Sequence, residues 1–173
     1  LKLMVNQSKS HIAHSEDGVK FLGVEIGSQY TRIQGKKLAT FKEKLKRMTK
    51  RNGGKSLKQV IKELNPVLRG FSQYFRIANT SREFSRIAGW LRRRLRSIQL
   101  KLWKKPTRLH RRLKQLGYKP PFKHIQMTSW KNASSPLASY AMPNQWFNDL
   151  GLMNLEQVRT GYVFSRYAEW KCA

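Results

Sequence analysis

The pattern of apolar positions changes character once along the chain. In the first thirty-odd residues it is that of short strands. VKFLGVEI, Val19 to Ile26, concentrates β-branched, aromatic and aliphatic residues and predicts one strand. Tyr30 to Ile33 predicts another. His11 to His14 predicts an earlier one, with Ser15 to Gly18 as the turn that follows it. From Ala39 onward the period is helical. Phe41, Leu45 and Met48 form a stripe, while Lys42, Lys44, Lys46, Arg47, Lys50 and Arg51 face away from it. Thr40 and Glu43 have the spacing of a capping box, and Asn52-Gly53-Gly54 closes the helix. Ser56 and Gln59 repeat that spacing ahead of Leu57, Val60, Ile61 and Leu64. Pro66 predicts a kink or a restart, because proline brings no N–H. Leu68, Phe71 and Phe75 continue the apolar face.

Thr80 and Glu83 form a third such pair and open the longest predicted helix. Its apolar positions are Phe84, Ile87, Ala88, Leu91, Leu95, Ile98 and Leu102, one stripe held for about five turns. Leu91, Leu95 and Leu102 are therefore expected to be buried against the 57–77 segment. Arg86, Arg93 and Lys104 fall on the opposite, exposed face, with Arg92, Arg94, Arg96 and Lys101 on its flanks. Trp90 lies toward the outer side with Leu100 near it, and Trp103 sits at an edge. Lys104-Lys105-Pro106 breaks the helix. Leu109, Leu113 and Leu116 mark a shorter one, stopped by Gly117. Beyond a loop containing Pro120-Pro121, Ser135-Pro136 reads as an N-cap with proline at the first helical position. Short helices are expected over 137–142 and 145–150, and a last one over Leu155 to Trp170.

Charge changes the picture more than length does. The 173 residues carry 36 Lys and Arg against 9 Asp and Glu, a net charge of +27. From Arg86 to Lys114 there are twelve cations and no carboxylate. Like charges along one helix repel, so a one-signed face is best tolerated where a polyanion neutralises it. A nucleic acid is the expected partner, through Arg86, Arg92, Arg93, Arg94, Arg96, Lys101, Lys104, Lys105, Arg108, Arg111 and Arg112. Tryptophans among these cations can stack on unpaired bases, although most are expected to anchor helix packing. Nothing else in the sequence carries catalysis. There is no Walker loop, no G-x-S-x-G, no H-E-x-x-H and no paired carboxylate set. His11 and His14 lack a third metal ligand. The single Cys172 permits no internal disulfide and fits a reducing compartment. No run reaches transmembrane length, and no signal peptide is read at the start, so no membrane role is expected. Two further readings are a DNA-binding helix–turn–helix, its two helices meeting at Ile77 to Thr80, and a ribosomal-type structural RNA binder.

Several stretches, in order, resemble the group II intron reverse transcriptase/maturases. VNQSKS (Val5 to Ser10) followed by Phe21-Leu22-Gly23 is similar to the family's N-x-x-K-[ST] segment and F-L-G primer grip at the end of the polymerase palm. ELNPVLRGFSQYFRIANT (Glu63 to Thr80) and WLRRRLRSIQLKLWKKP (Trp90 to Pro106) resemble the maturase-specific domain, also called domain X or thumb; Phe71 stands where Trp is usual. Ser134 to Leu155 is similar to the segment that follows in many bacterial members. The resemblance implies a mainly α, overall α+β fold: a small β remnant of the palm over 1–36, a three-helix thumb-like bundle over 37–117, and a basic C-terminal segment over 118–173. It implies group II intron RNA as partner, with the protein assisting intron folding and splicing. In an intact parent it implies clamping of template-primer or DNA target, with a polymerase region preceding residue 1. The family's Y-x-D-D aspartates are not in this chain, so no polymerase activity is expected from it alone. No cofactor is implied here, Mg²⁺ belonging to the parent polymerase and to the intron RNA. A bacterial cytoplasm, or else an organelle matrix, is the expected location.

Overall fold

The computed structural model describes residues 14–126 and 130–161. Of the strand expected over His11 to His14, only His14 is among them, and it is not in a strand. Ser15–Asp17 form a 3-10 turn. VKFLGVEI is not one strand but a hairpin. Val19–Phe21 (β1) pairs antiparallel with Val24–Ile26 (β2) across the two-residue turn Leu22-Gly23. Both turn residues have positive φ, +47° and +83°. Such a turn twists in the sense that the flanking strands require, and glycine adopts the second position without strain. Thr31–Ile33 (β3) adds to β2, giving the order β1-β2-β3.

The first helix, α1 (Gly35–Met48), begins well before Thr40. Thr40 is an interior residue whose hydroxyl donates to the Lys36 carbonyl at 2.9 Å, so the expected Thr40–Glu43 capping box does not form. α2 (Leu57–Phe75) runs through Pro66 as a single helix, without the expected restart. Ser56 caps it: its Oγ accepts the Gln59 N–H at 3.3 Å. The Gln59 side chain donates to Glu63 instead of reaching back, so only half of that box exists. α3 (Ser81–Trp103) starts after Thr80, a fully buried residue. The Thr80 hydroxyl donates to the carbonyls of Phe75 and Ala78, both at 3.4 Å, and makes no cap hydrogen bond. α4 (Pro106–Gln115), α5 (Pro136–Ala141) and α6 (Asn144–Asp149) follow, near the expected places. Ser135 caps α5 by accepting the Ala138 N–H. The helix expected from Leu155 is a single 3-10 turn, Leu155–Gln157, with extended backbone at Val158; residues 162–173 lie outside those described.

One apolar core joins these elements. It runs from Val24 and Ile33 in the sheet through the helices to Ala133, Met142, Phe147 and Leu155. α3 is its axis. It packs against α2 and α4, and also against the turn Trp130–Ser134 and the turn Leu155–Gln157. A helix walled on several sides cannot be buried along one stripe alone. Leu91 and Leu95 are buried as expected. Leu100, placed toward the outer side by its spacing, is only 1% exposed, whereas Leu102 is 41% exposed, against expectation. The two side chains are about 200° apart around the helix, so cover from the C-terminal segment on one side leaves the other open.

Candidate nucleic-acid interface

The arginines of α3 divide by what they touch. Arg92 is buried and donates through both terminal nitrogens to Glu156, at 2.6 and 3.2 Å. Arg96 is buried as well. Its Nε donates to the Met142 carbonyl at 2.9 Å and one Nη to Asn144 Oδ1 at 3.0 Å, with the guanidinium 5.3 Å from the Phe147 ring centroid. Burial, and then the like charge of Arg92, push the Arg96 pKa below its ordinary value. Arg93 is half-buried, its guanidinium 4.3 Å over the ring of Trp130. Arg94 reaches the other way. It donates to Thr49 Oγ1 at 2.7 Å and to the carbonyls of Thr49 and Lys46 at 3.0 and 3.3 Å. Those carbonyls belong to the last turn of α1, so Arg94 caps that helix from outside. Desolvation lowers its pKa from the ordinary value. The expectation of a continuous cationic face on α3 is thus corrected. Arg92 and Arg96 are interior ties to the C-terminal segment, Arg94 ties to α1, and Arg93, placed on the exposed face, is half-covered. Arg86 and Lys104 are exposed, as expected.

The remaining expected residues lie where α3 ends and along α4. Lys101, Lys104, Lys105, Arg108 and Arg111 are exposed and Arg112 is half-buried. Lys101 donates to Asn52 Oδ1. Leu109 and Leu113 anchor α4 to the core, so its cations are held outward. A second cationic surface was not among the expected binding residues. Lys36, Lys37, Lys42, Lys44, Lys46 and Arg47 on α1, with Lys50 after it, are all exposed. The signal was present, since Glu43 is the one carboxylate in this helix. It was eclipsed by the longer, denser run on α3. The tryptophans serve packing: Trp90, Trp103, Trp130 and Trp146 are all half-buried, and Trp146 meets Phe147 edge-on at 5.3 Å.

The Phe21-Leu22-Gly23 turn is tied to the helices. Phe21 and Leu22 are 60% and 66% exposed, while Gly23 is buried. The Leu22 carbonyl accepts the Tyr74 hydroxyl at 2.8 Å, and the Gly23 carbonyl accepts the Gln34 N–H at 3.0 Å. Between the turn and the helices lies a pocket of about 510 Å³ with Phe41, Phe71, Tyr74 and Phe75 in its walls and Lys37 and Lys44 beside them. Phe41 and Phe71 stack at 3.5 Å. Across the sheet, Arg32 donates to Glu25 at 2.5 Å, and this bond holds the Glu25 pKa below its ordinary value. Among the described residues no group of three His, Cys, Asp or Glu comes together, and no helix is long and apolar enough to cross a membrane. A helix–turn–helix would need α3 free to enter a groove, yet α3 is covered by α2, α4 and the two C-terminal turns.

Fold and charge together define a helical module with little acid on it, built around one buried helix and cationic on its outer helices. Residues 38–117 match the family model of the group II intron, maturase-specific domain. This stretch of the chain is a group II intron maturase-specific domain, and it takes in the helices α2, α3 and α4 and nearly all of α1. Both quoted stretches, Glu63 to Thr80 and Trp90 to Pro106, fall inside the match. A comparison with curated proteins returned no match.

Proposed function

We propose that the chain is the RNA-binding maturase part of a group II intron-encoded protein. In this reading it binds its intron RNA and stabilises the folded form that splices. The match of residues 38–117 to the maturase-specific domain carries the reading. The exposed cations of α1 and α4, on a chain of net charge +27, supply the means. Lysine and arginine neutralise phosphates and release condensed counterions, and the rigid helices fix where those charges stand. In an intact parent the same surface, with the Phe21-Leu22-Gly23 turn, would border template and primer. The 1–36, 37–117 and 118–173 divisions would then be palm remnant, thumb and basic extension.

The test is titration of a group II intron RNA with the 173-residue chain at several salt concentrations. If six to ten phosphates are neutralised, affinity falls by about 10³–10⁵ between 50 and 200 mM salt. Replacing Arg108 and Arg111 by Gln should lower the salt slope by about two and leave thermal unfolding unchanged. A salt-independent binding constant, or no binding, overturns the proposal.

A further inference from the structure

Two adjoining hollows lie where the end of α1 and the loop after it meet α3. The first, about 390 Å³, is lined by Lys46, Arg47, Lys50, Arg51, Asn52 and Arg94, with Glu43 at its edge. The second, about 290 Å³, shares Arg47, Lys50 and Arg51 with the first. Its remaining lining differs in kind. Met48, Val60, Ile98 and Leu102 give it apolar walls, and Lys55 and Glu63 close one end. Both carboxylates are already engaged: Glu43 with Lys46 at 3.3 Å, and Glu63 with Lys55 at 2.6 Å. Arg94 answers the carbonyls of the last α1 turn, so the cations around it face no uncapped helix end. The result is a concave strip, strongly cationic on one side and apolar on the other. Leu102, which its spacing would have buried, instead stands open in the apolar part.

We propose that this strip seats an unpaired nucleotide of the bound RNA. The backbone phosphate occupies the hollow of Lys46, Arg47 and Lys50, and the attached base lies over Leu102 and Met48. An anion joined to a flat, weakly polar ring is the ligand whose two parts match the two linings. A duplex presents its bases stacked and paired, so only its phosphates could reach so concave a place. The inference rests on the RNA-binding reading above and adds to it which surface takes single-stranded RNA.

The test uses the full 173-residue chain with two probes: an oligouridylate of about 12 nucleotides, within the span of typical single-strand sites, and a blunt RNA duplex of the same length. Three variants are compared with wild type. Arg47→Gln with Lys50→Gln removes the shared cations. Leu102→Ser changes the apolar wall. Lys36→Gln with Arg82→Gln removes two exposed charges near the opposite ends of α1 and α3 as a charge-matched control. All these side chains are exposed, and melting curves establish that the variants fold. The expected result has two parts. The first variant weakens single-strand binding by roughly fivefold or more beyond the control, the low end of what a held base supplies. Leu102→Ser also weakens single-strand binding, with an unchanged salt slope and an unchanged affinity for duplex. Equal losses for the cleft and control variants on both probes would show a net-charge effect and overturn the proposal while leaving RNA binding intact. A selective loss from the Arg47/Lys50 variant with none from Leu102→Ser would also overturn it, since no base would then be held there. If wild type binds neither probe nor intron RNA, the underlying reading falls too.

Discussion

Arg92 on α3 and Glu156, 64 residues further along the chain, hold each other through two hydrogen bonds of 3.2 and 2.6 Å. The pair pins the turn Leu155–Gln157 onto the helix at the centre of the maturase-specific domain. It does not act alone. Asn65 on α2 donates to the Gly151 carbonyl at 2.7 Å and accepts the Met153 N–H at 2.9 Å, and Arg96 holds Met142 and Asn144. The segment after the family match is thereby part of the same packed unit.

Removing the carboxylate should loosen that unit. Glu156→Ala leaves a mostly buried guanidinium without its anion. The Glu156 side chain is itself 38% exposed, so water can answer part of the loss. A destabilisation of about 1–3 kcal/mol is expected, below the roughly 3–5 kcal/mol of a fully buried pair. Replacing both Arg92 and Glu156 by Leu should recover much of it. Denaturant unfolding of the single and double variants measures both numbers.

Three leucines on α3 should separate sharply. Leu95→Ala and Leu100→Ala each empty a fully buried site and should cost about 2–5 kcal/mol. Leu102→Ala removes an exposed side chain and should stay within about 0.5 kcal/mol of wild type. Equal effects at 100 and 102 in thermal unfolding would contradict the packing described.

Arg94→Met should weaken the end of α1 more than the whole fold. It strips the donors from the Lys46 and Thr49 carbonyls, at a cost of about 1–3 kcal/mol. Hydrogen exchange should accelerate first in the last turn of α1 and at Lys50 to Asn52, ahead of α2 and α3. Uniform acceleration across all helices would be the contrary result.

Glu25 offers a pH test with a definite sign. Its hydrogen bond from Arg32 lowers the folded pKa, so the unfolded chain binds the proton more readily. The pair's contribution to the hairpin is therefore complete above the ordinary glutamate value and is lost as pH falls through the lower folded one. A carboxyl titration followed by NMR should give a midpoint below the ordinary value. In Arg32→Gln the midpoint should move up toward that value.

Much of this protein was determined by the sequence alone, for a local reason. Helices α1 to α4 were legible because each keeps a 3.6-residue apolar period and ends at Gly or Pro, signals carried by neighbouring residues. The positions of α5 and α6 followed from Ser135-Pro136 and Gly151 in the same way. The ordered motifs around Glu63 to Thr80 and Trp90 to Pro106 carried the family resemblance, and the net charge carried the class of partner. Capping was the local signal that misled: Thr40 and Thr80 have the right spacing, but their hydroxyls found nearer carbonyls. The hairpin inside VKFLGVEI was hidden because Leu22 is an unusual residue at a positive φ. Only the tertiary structure decided which cations face water. On a single helix, Arg92, Arg94 and Arg96 look like the flanks of a binding face. Glu156, Met142, Asn144 and Thr49, all distant in sequence, turn them into internal ties. The same enclosure buried Leu100 and left Leu102 open, because helical periodicity defines a face only when one neighbour covers it, and α3 has several.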